Sequence, residues 1–182
     1  MAPFRLNATA ASLLGFLHER PMAGWDLVNT AQERIGNFWS LTPSQVYREL
    51  AAMAEAGLIA AGERGKRDRQ PYALTDAGRA AFEEWVSQEP GTETIRFPLL
   101  LTLAFGDHLP PDRLAAILDQ HRAKHAEQLR HYERQRAEIP PSFREAHPAA
   151  VATLDFGIHY ERAVVSWFDQ LPVSLRGDNA AQ

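Results

Sequence analysis

The chain has 182 residues, 45% of them hydrophobic, a net charge of −4 and no cysteine. That length can bury a core as one domain or two small ones, and the lack of thiols excludes disulfides, thiolate metal sites and a cysteine nucleophile. Divided at Pro90, the chain carries nine Lys and Arg against eleven Asp and Glu before the break and ten against twelve after it, so neither half is a basic arm.

No N-terminal apolar run is flanked by cations and a small-residue cleavage site. The longest apolar stretch, around Phe97 to Phe105, falls short of the roughly 20 residues that span a bilayer. A cytoplasmic chain without membrane contact is expected.

Residues 1–7 show no pattern and read as a loose lead. From Ala8 the run Ser12-Leu13-Leu14-Gly15-Phe16-Leu17 predicts a first helix ending near His18, followed by a turn at Pro21-Met22-Ala23-Gly24. A second helix carries Leu27, Ala31 and Ile35 on one face and stops around Gly36-Asn37. Phe38 and Trp39 then sit in a connection, where their rings are expected to wedge into the core.

Thr42-Pro43-Ser44-Gln45 is a capping box with proline at the first helical position, so a third helix starts there. Val46, Leu50 and Met53 form its apolar stripe, and Gly57 can end it in the left-handed conformation. Leu58 to Gly62 and Gln70 to Leu74 can pair as a hairpin, whose connection holds four cations, Arg64, Lys66, Arg67 and Arg69, against one acid, Asp68. Such a tip can meet phosphates although the protein as a whole is acidic. Three helices and a hairpin make a winged helix-turn-helix, in which the second helix of the pair lies in the major groove of DNA. Thr75 caps a fourth helix with Ala77, Ala81, Phe82 and Trp85 at helical spacing.

Gln88 to Thr92 is a break, and it separates a winged helix-turn-helix DNA-binding domain, 1–90, from a helical dimerisation and effector domain, 91–182. Beyond it, Phe97 to Phe105 is a short apolar helix stopped by Gly106-Asp107. Asp112 to Glu138 holds neither glycine nor proline and can run for roughly 40 Å, with Leu114, Leu118, Leu129, Tyr132 and Ile139 as a thin apolar seam. Pro140-Pro141 ends it. The last helix, Pro148 to Leu171, is apolar on two faces, one with Val151, Ile158 and Phe168 and another with Phe156, Tyr160 and Trp167. A helix of that kind is best buried between its own chain and a second copy. The tail from Arg176 to Gln182 is expected to lack regular structure.

Leu13-Leu14-Gly15, Pro21 to Leu27, Phe38-Trp39, Gln45 to Leu50, Glu55-Ala56-Gly57-Leu58, Arg69 to Leu74 and Thr75 to Arg79 together resemble the PadR family of bacterial transcriptional regulators. The second half, with Arg96 to Leu101 and a long helix pair, is similar to the larger-tailed branch that includes virulence-gene activators. The resemblance implies a mainly α-helical fold with a two-stranded wing, and a homodimer joined through its C-terminal helices. It also implies a pseudo-palindromic double-stranded operator and repression relieved by a small effector. Trp25 stands where the family usually has tyrosine, so any role of that hydroxyl does not carry over.

Ser44, Gln45, Tyr47 and Arg48 are the candidate DNA contacts of the third helix, and Lys66, Arg67 and Arg69 those of the wing. Each has a plainer reading: Ser44 and Gln45 as caps, Tyr47 as packing, Arg48 in a salt bridge, the wing cations as a solvated turn. Trp25, Trp39, Trp85, Phe97, Tyr160 and Trp167 are candidates for an effector pocket, against simple core packing. His121 and His125 have metal-ligand spacing, but no third ligand accompanies them and no metal or cofactor is expected. No nucleophile elbow or phosphate-cradling glycine loop supports catalysis. The competing function is a winged-helix module that binds proteins rather than DNA, for which the acidic net charge argues.

Overall fold

The computed structural model describes residues 4–36, 38–65, 69–92 and 95–176. The chain divides into two compact units, Met1–Glu93 and Thr94–Gln182. No helix among the described residues is long and apolar enough to cross a membrane.

The first unit is built from α1 (Ala8–Leu17), β1 (Met22–Ala23), α2 (Gly24–Arg34), α3 (Pro43–Glu55), β2 (Ile59–Ala61), β3 (Pro71–Leu74) and α4 (Asp76–Ser87). Leu13 and Leu14 of α1, Leu27 of α2 and Val46, Leu50 and Met53 of α3 are wholly buried in one cluster. At about 1.5–3 kcal/mol for each large apolar side chain removed from water, they dominate the stability of this unit. The helix ends are closed by short-range chemistry. Asn7 accepts a bond from the Ala10 amide at 2.9 Å, Thr42 accepts from the Gln45 amide at 3.2 Å, and Thr75 accepts from the Gly78 amide at 3.1 Å, each satisfying an amide the helix leaves unpaired.

The end of α3 follows its sequence closely. Gly57 adopts φ +73°, the Leu58 amide donates to the Met53 carbonyl at 2.9 Å and the Gly57 amide to the Ala54 carbonyl at 3.1 Å, a complete Schellman motif. That reversal points Leu58 into β2. Gly78 is required for a second reason: a Cβ there would lie 2.1 Å from the Leu58 carbonyl oxygen.

Three expectations for this unit need correction. Met22-Ala23 is not merely a turn. It pairs with β3, Met22 opposite Tyr72 and Ala23 opposite Pro71, so the wing hairpin belongs to a three-stranded antiparallel sheet of order β1-β3-β2. Two residues carry no periodicity, and only the nearby wing strand makes them a strand. Phe38 and Trp39 are not core either, being 50% and 42% exposed. Their amides close a turn onto the Ile35 carbonyl, and Leu27, Ala31 and Ile35 already fill the interior beside α3. Finally, the lead is not loose from Phe4 onward: Phe4 and Leu6 pack on the core, and Asn7 donates to the Glu49 carboxylate of α3 at 3.1 Å.

The second unit contains α5 (Pro98–Ala104), α6 (Pro111–Glu138), α7 (Pro141–Ala146) and α8 (Pro148–Asp169), with single 3₁₀ turns at Gly106–His108 and Val173–Leu175. Leu114 and Leu118 of α6 meet Phe168 and Leu171 in a small core, with Leu99, Leu103, Val164 and Trp167 packed around it. Farther along, polar pairs hold α6 to α8: Arg122 to Asp169 at 2.7 Å, His125 to Glu161 at 2.6 Å, Arg162 to Glu133 at 2.7 Å and Arg136 to Asp155 at 2.7 Å. Pro141 does not only end α6. It occupies the first position of α7, where its missing amide costs nothing. Residues 177–182, most of the C-terminal tail, lie outside the described residues.

Candidate nucleic-acid interface

The amino end of α3 is open. Ser44, Tyr47 and Arg48 are exposed on it, because the capping box puts Val46, Leu50 and Met53 inward and turns their neighbours outward. Gln45 is half-buried, and its side-chain oxygen accepts from both the Thr42 amide, at 2.9 Å, and the Thr42 hydroxyl, at 3.1 Å. That oxygen belongs to the cap. Arg48 stays exposed while its guanidinium donates to Glu49 at 3.1 Å, so the salt bridge weighed against a DNA contact is present.

Beside that helix end lies an open groove of about 610 Å³, walled by Trp25, Asp26 and Asn29 of α2, by Tyr47, and by Arg69, Gln70 and Tyr72 at the wing. Its narrow side depends on Gly24, where a Cβ would sit 2.4 Å from the Tyr47 ring. Arg69 reaches back from the wing to donate to Asp26 at 2.5 Å, and the other Asp26 oxygen accepts from the Ala23 amide at 3.4 Å. One carboxylate of α2 therefore holds both the end of β1 and the segment leading into β3. Lys66 and Arg67 lie outside the described residues.

The aromatic candidates are divided between the two units. In the first unit Trp25 edges the groove, Trp39 is exposed and Trp85 is half-buried on α4. In the second unit Phe97 and Tyr160 stack at 6.5 Å with planes 12° apart. Trp167 instead packs against Phe168 at 4.7 Å, within the leucine-rich core.

His125 is held by Glu161, itself only 6% exposed. His121 is pushed to a lower pKa by burial and by the charges of Lys124 and His125. Burial first, then the nearby Glu161, raises the Tyr160 phenol. Burial also raises Tyr132, against a hydrogen bond from Gln128. No group of three or more potential metal-ligating His, Asp or Glu side chains occurs among the described residues.

Reading the sequence alone missed the Asn7–Glu49 bond and the role of Asp26. Asp26 had a faint signal as an acid in the first turn of α2, but its bond to Arg69 spans 43 positions. Nothing local announces it.

An exposed amino end on a well-capped third helix, with a sheet-borne wing across a groove from it, defines a winged helix-turn-helix regulator of transcription. Residues 13–84 match the Transcriptional regulator PadR-like family, and residues 95–172 match Virulence activator alpha C-term. The chain thus joins a PadR-like transcriptional regulator domain to a virulence activator alpha C-terminal domain. The Negative transcriptional regulator PadR of Bacillus subtilis (strain 168) is 27% identical over 184 residues, covering 92% of this chain and 97% of that protein. The fold is similar to that of Bacillus subtilis PadR crystallised in complex with operator DNA, with a TM-score of 0.71, 22% identity and coverage of 90% of this chain and 96% of that one. It is similar also to the same protein in complex with p-coumaric acid, with a TM-score of 0.68, 24% identity and coverage of 90% and 95%.

Proposed function

We propose that the protein is a homodimeric repressor that binds a pseudo-palindromic operator and is released by a small aromatic or hydrophobic effector. Residues 1–90 read DNA, with Ser44, Gln45, Tyr47 and Arg48 near base edges and backbone, and Lys66, Arg67 and Arg69 on phosphates. The observation that carries this reading is the open amino end of α3 facing the same groove as Arg69. An acidic protein can hold DNA in this way only if its few cations are concentrated and then doubled, because affinity follows the number of phosphates neutralised.

Residues 91–182 supply the doubling. The second unit leaves Leu101, Phe105 and Phe156 more than 60% exposed, an apolar surface that a monomer in water covers at a gain. The effector is inferred from the relative crystallised with p-coumaric acid, and the stacked Phe97 and Tyr160 are the aromatic pair best placed to take a planar ring.

Fluorescence anisotropy with duplex DNA from the gene's own promoter, at two salt concentrations, tests the first part. Tight binding that weakens steeply with salt is expected. Absence of binding to that promoter and to sites selected from random DNA would favour a protein-binding module. A screen of aromatic acids for release of the bound duplex tests the effector.

A further inference from the structure

The wing arginine does not face the groove as a loose cation. Arg69 is anchored to Asp26, which at the same time accepts the Ala23 amide at the start of α2. The arginine side chain is 58% exposed and the aspartate 29%, and both line the groove together with Tyr47. A guanidinium has five N–H donors, and Asp26 engages the NH2 nitrogen at one end of the fork. The remaining donors can meet a phosphate without leaving the carboxylate.

We propose that Asp26 is a specificity-determining residue that acts through Arg69, a role that rests on the DNA-binding function proposed above. Its carboxylate does two opposed things. It subtracts positive charge from the face, which lowers affinity for any duplex, since phosphate binding of arbitrary sequence follows unopposed cations. It also holds the guanidinium in one place, which favours only a duplex whose backbone passes there, set by operator shape and register. The net result is a wider gap between operator and random DNA, obtained by suppressing the second.

Asp26→Asn tests this, because an amide oxygen can still accept from the Ala23 amide while the charge is gone. Binding of the full chain to its selected operator and to a random duplex is measured at several salt concentrations, alongside a thermal melt. The expected result is random-duplex affinity higher by about 3–10-fold with a salt slope steeper by up to about 0.9, operator affinity within about twofold, and the operator-to-random ratio lower by at least about threefold. In an Arg69→Ala background the same substitution leaves the ratio unchanged. Asp26→Glu, which keeps the charge but displaces the anchor, lowers operator affinity and leaves random-duplex affinity in place, a result that stands even where Asp26→Asn melts early.

An equal rise on both duplexes would show a bystander charge, and an equal loss on both a brace for the fold; either overturns the role. So does a ratio that moves as much without Arg69 as with it. A wild-type chain that fails to prefer any selected duplex over random DNA overturns the proposed function and this role together. An intact wild-type preference with an unmoved ratio in Asp26→Asn overturns the role alone.

Discussion

The two units solve folding in different ways. The first has a core of side chains with no solvent exposure, Leu13, Leu14, Leu27, Val46 and Leu50 among them, and closes its helices with Asn7, Thr42 and Thr75. The second has a core cluster of four buried residues, Leu114, Leu118, Phe168 and Leu171, and keeps α6 against α8 with pairs such as Arg122–Asp169 and Arg136–Asp155. An exposed pair such as Arg122–Asp169 contributes only about 0–1 kcal/mol. The contrast teaches that the first unit carries its stability in a dry core, whereas the second rests on a smaller core and leaves Leu101, Phe105 and Phe156 exposed, the surface proposed above for a second copy.

The sharpest way to break this contrast is Leu50→Ala. Removing a wholly buried leucine should cost about 2–5 kcal/mol, read as a lower urea midpoint for the first unit. A loss below about 1 kcal/mol would mean that this core is not self-sufficient.

Next comes Leu101→Asp, at a 64% exposed site on α5. The melt of the first unit should hardly move, while light scattering at micromolar concentration should shift from dimer mass toward monomer. A dimer that persists unchanged would place the pairing surface elsewhere.

Thr42→Ala removes the acceptor for the Gln45 amide. A loss of about 0.5–2 kcal/mol is expected, with weaker operator binding because the amino end of α3 frays. Stability lost without any change in binding would detach that helix end from recognition.

The smallest effect is a pH dependence. His121 has a lowered pKa in the fold, caused first by burial and then by Lys124 and His125, so below the ordinary histidine value near 6.5 the unfolded chain takes up the proton more readily. Stability from this group is full above that value and declines as pH falls through it. His121→Asn should flatten the acid limb of the stability profile slightly. An acid limb identical in both proteins would show that this histidine is not part of it.

Much of the fold was legible because its signals are local. The Thr42-to-Gln45 box, Gly57 and Thr75 act over three or four residues, and the bonds they form are those their spacing implies. The candidate site was legible only in part. Ser44, Tyr47 and Arg48 stand exposed at the helix end as their positions on the helix require, but Trp25 joins Tyr47 and Arg69 around one groove through chain reversals that no window of sequence contains.

By itself, the amino-acid order determined where the helices of the first unit begin and end, which face of its third helix turns inward, and that a hairpin follows that helix. Tertiary structure alone decided that Met22-Ala23 becomes a strand, that Phe38 and Trp39 stay outside, and that Asp26 takes hold of Arg69 and Glu49 of Asn7. The physical reason is range. Caps and periodic faces are settled by neighbours a turn away, whereas a strand's partner, the space left in a core and the acid nearest an arginine depend on what distant chain has already packed there.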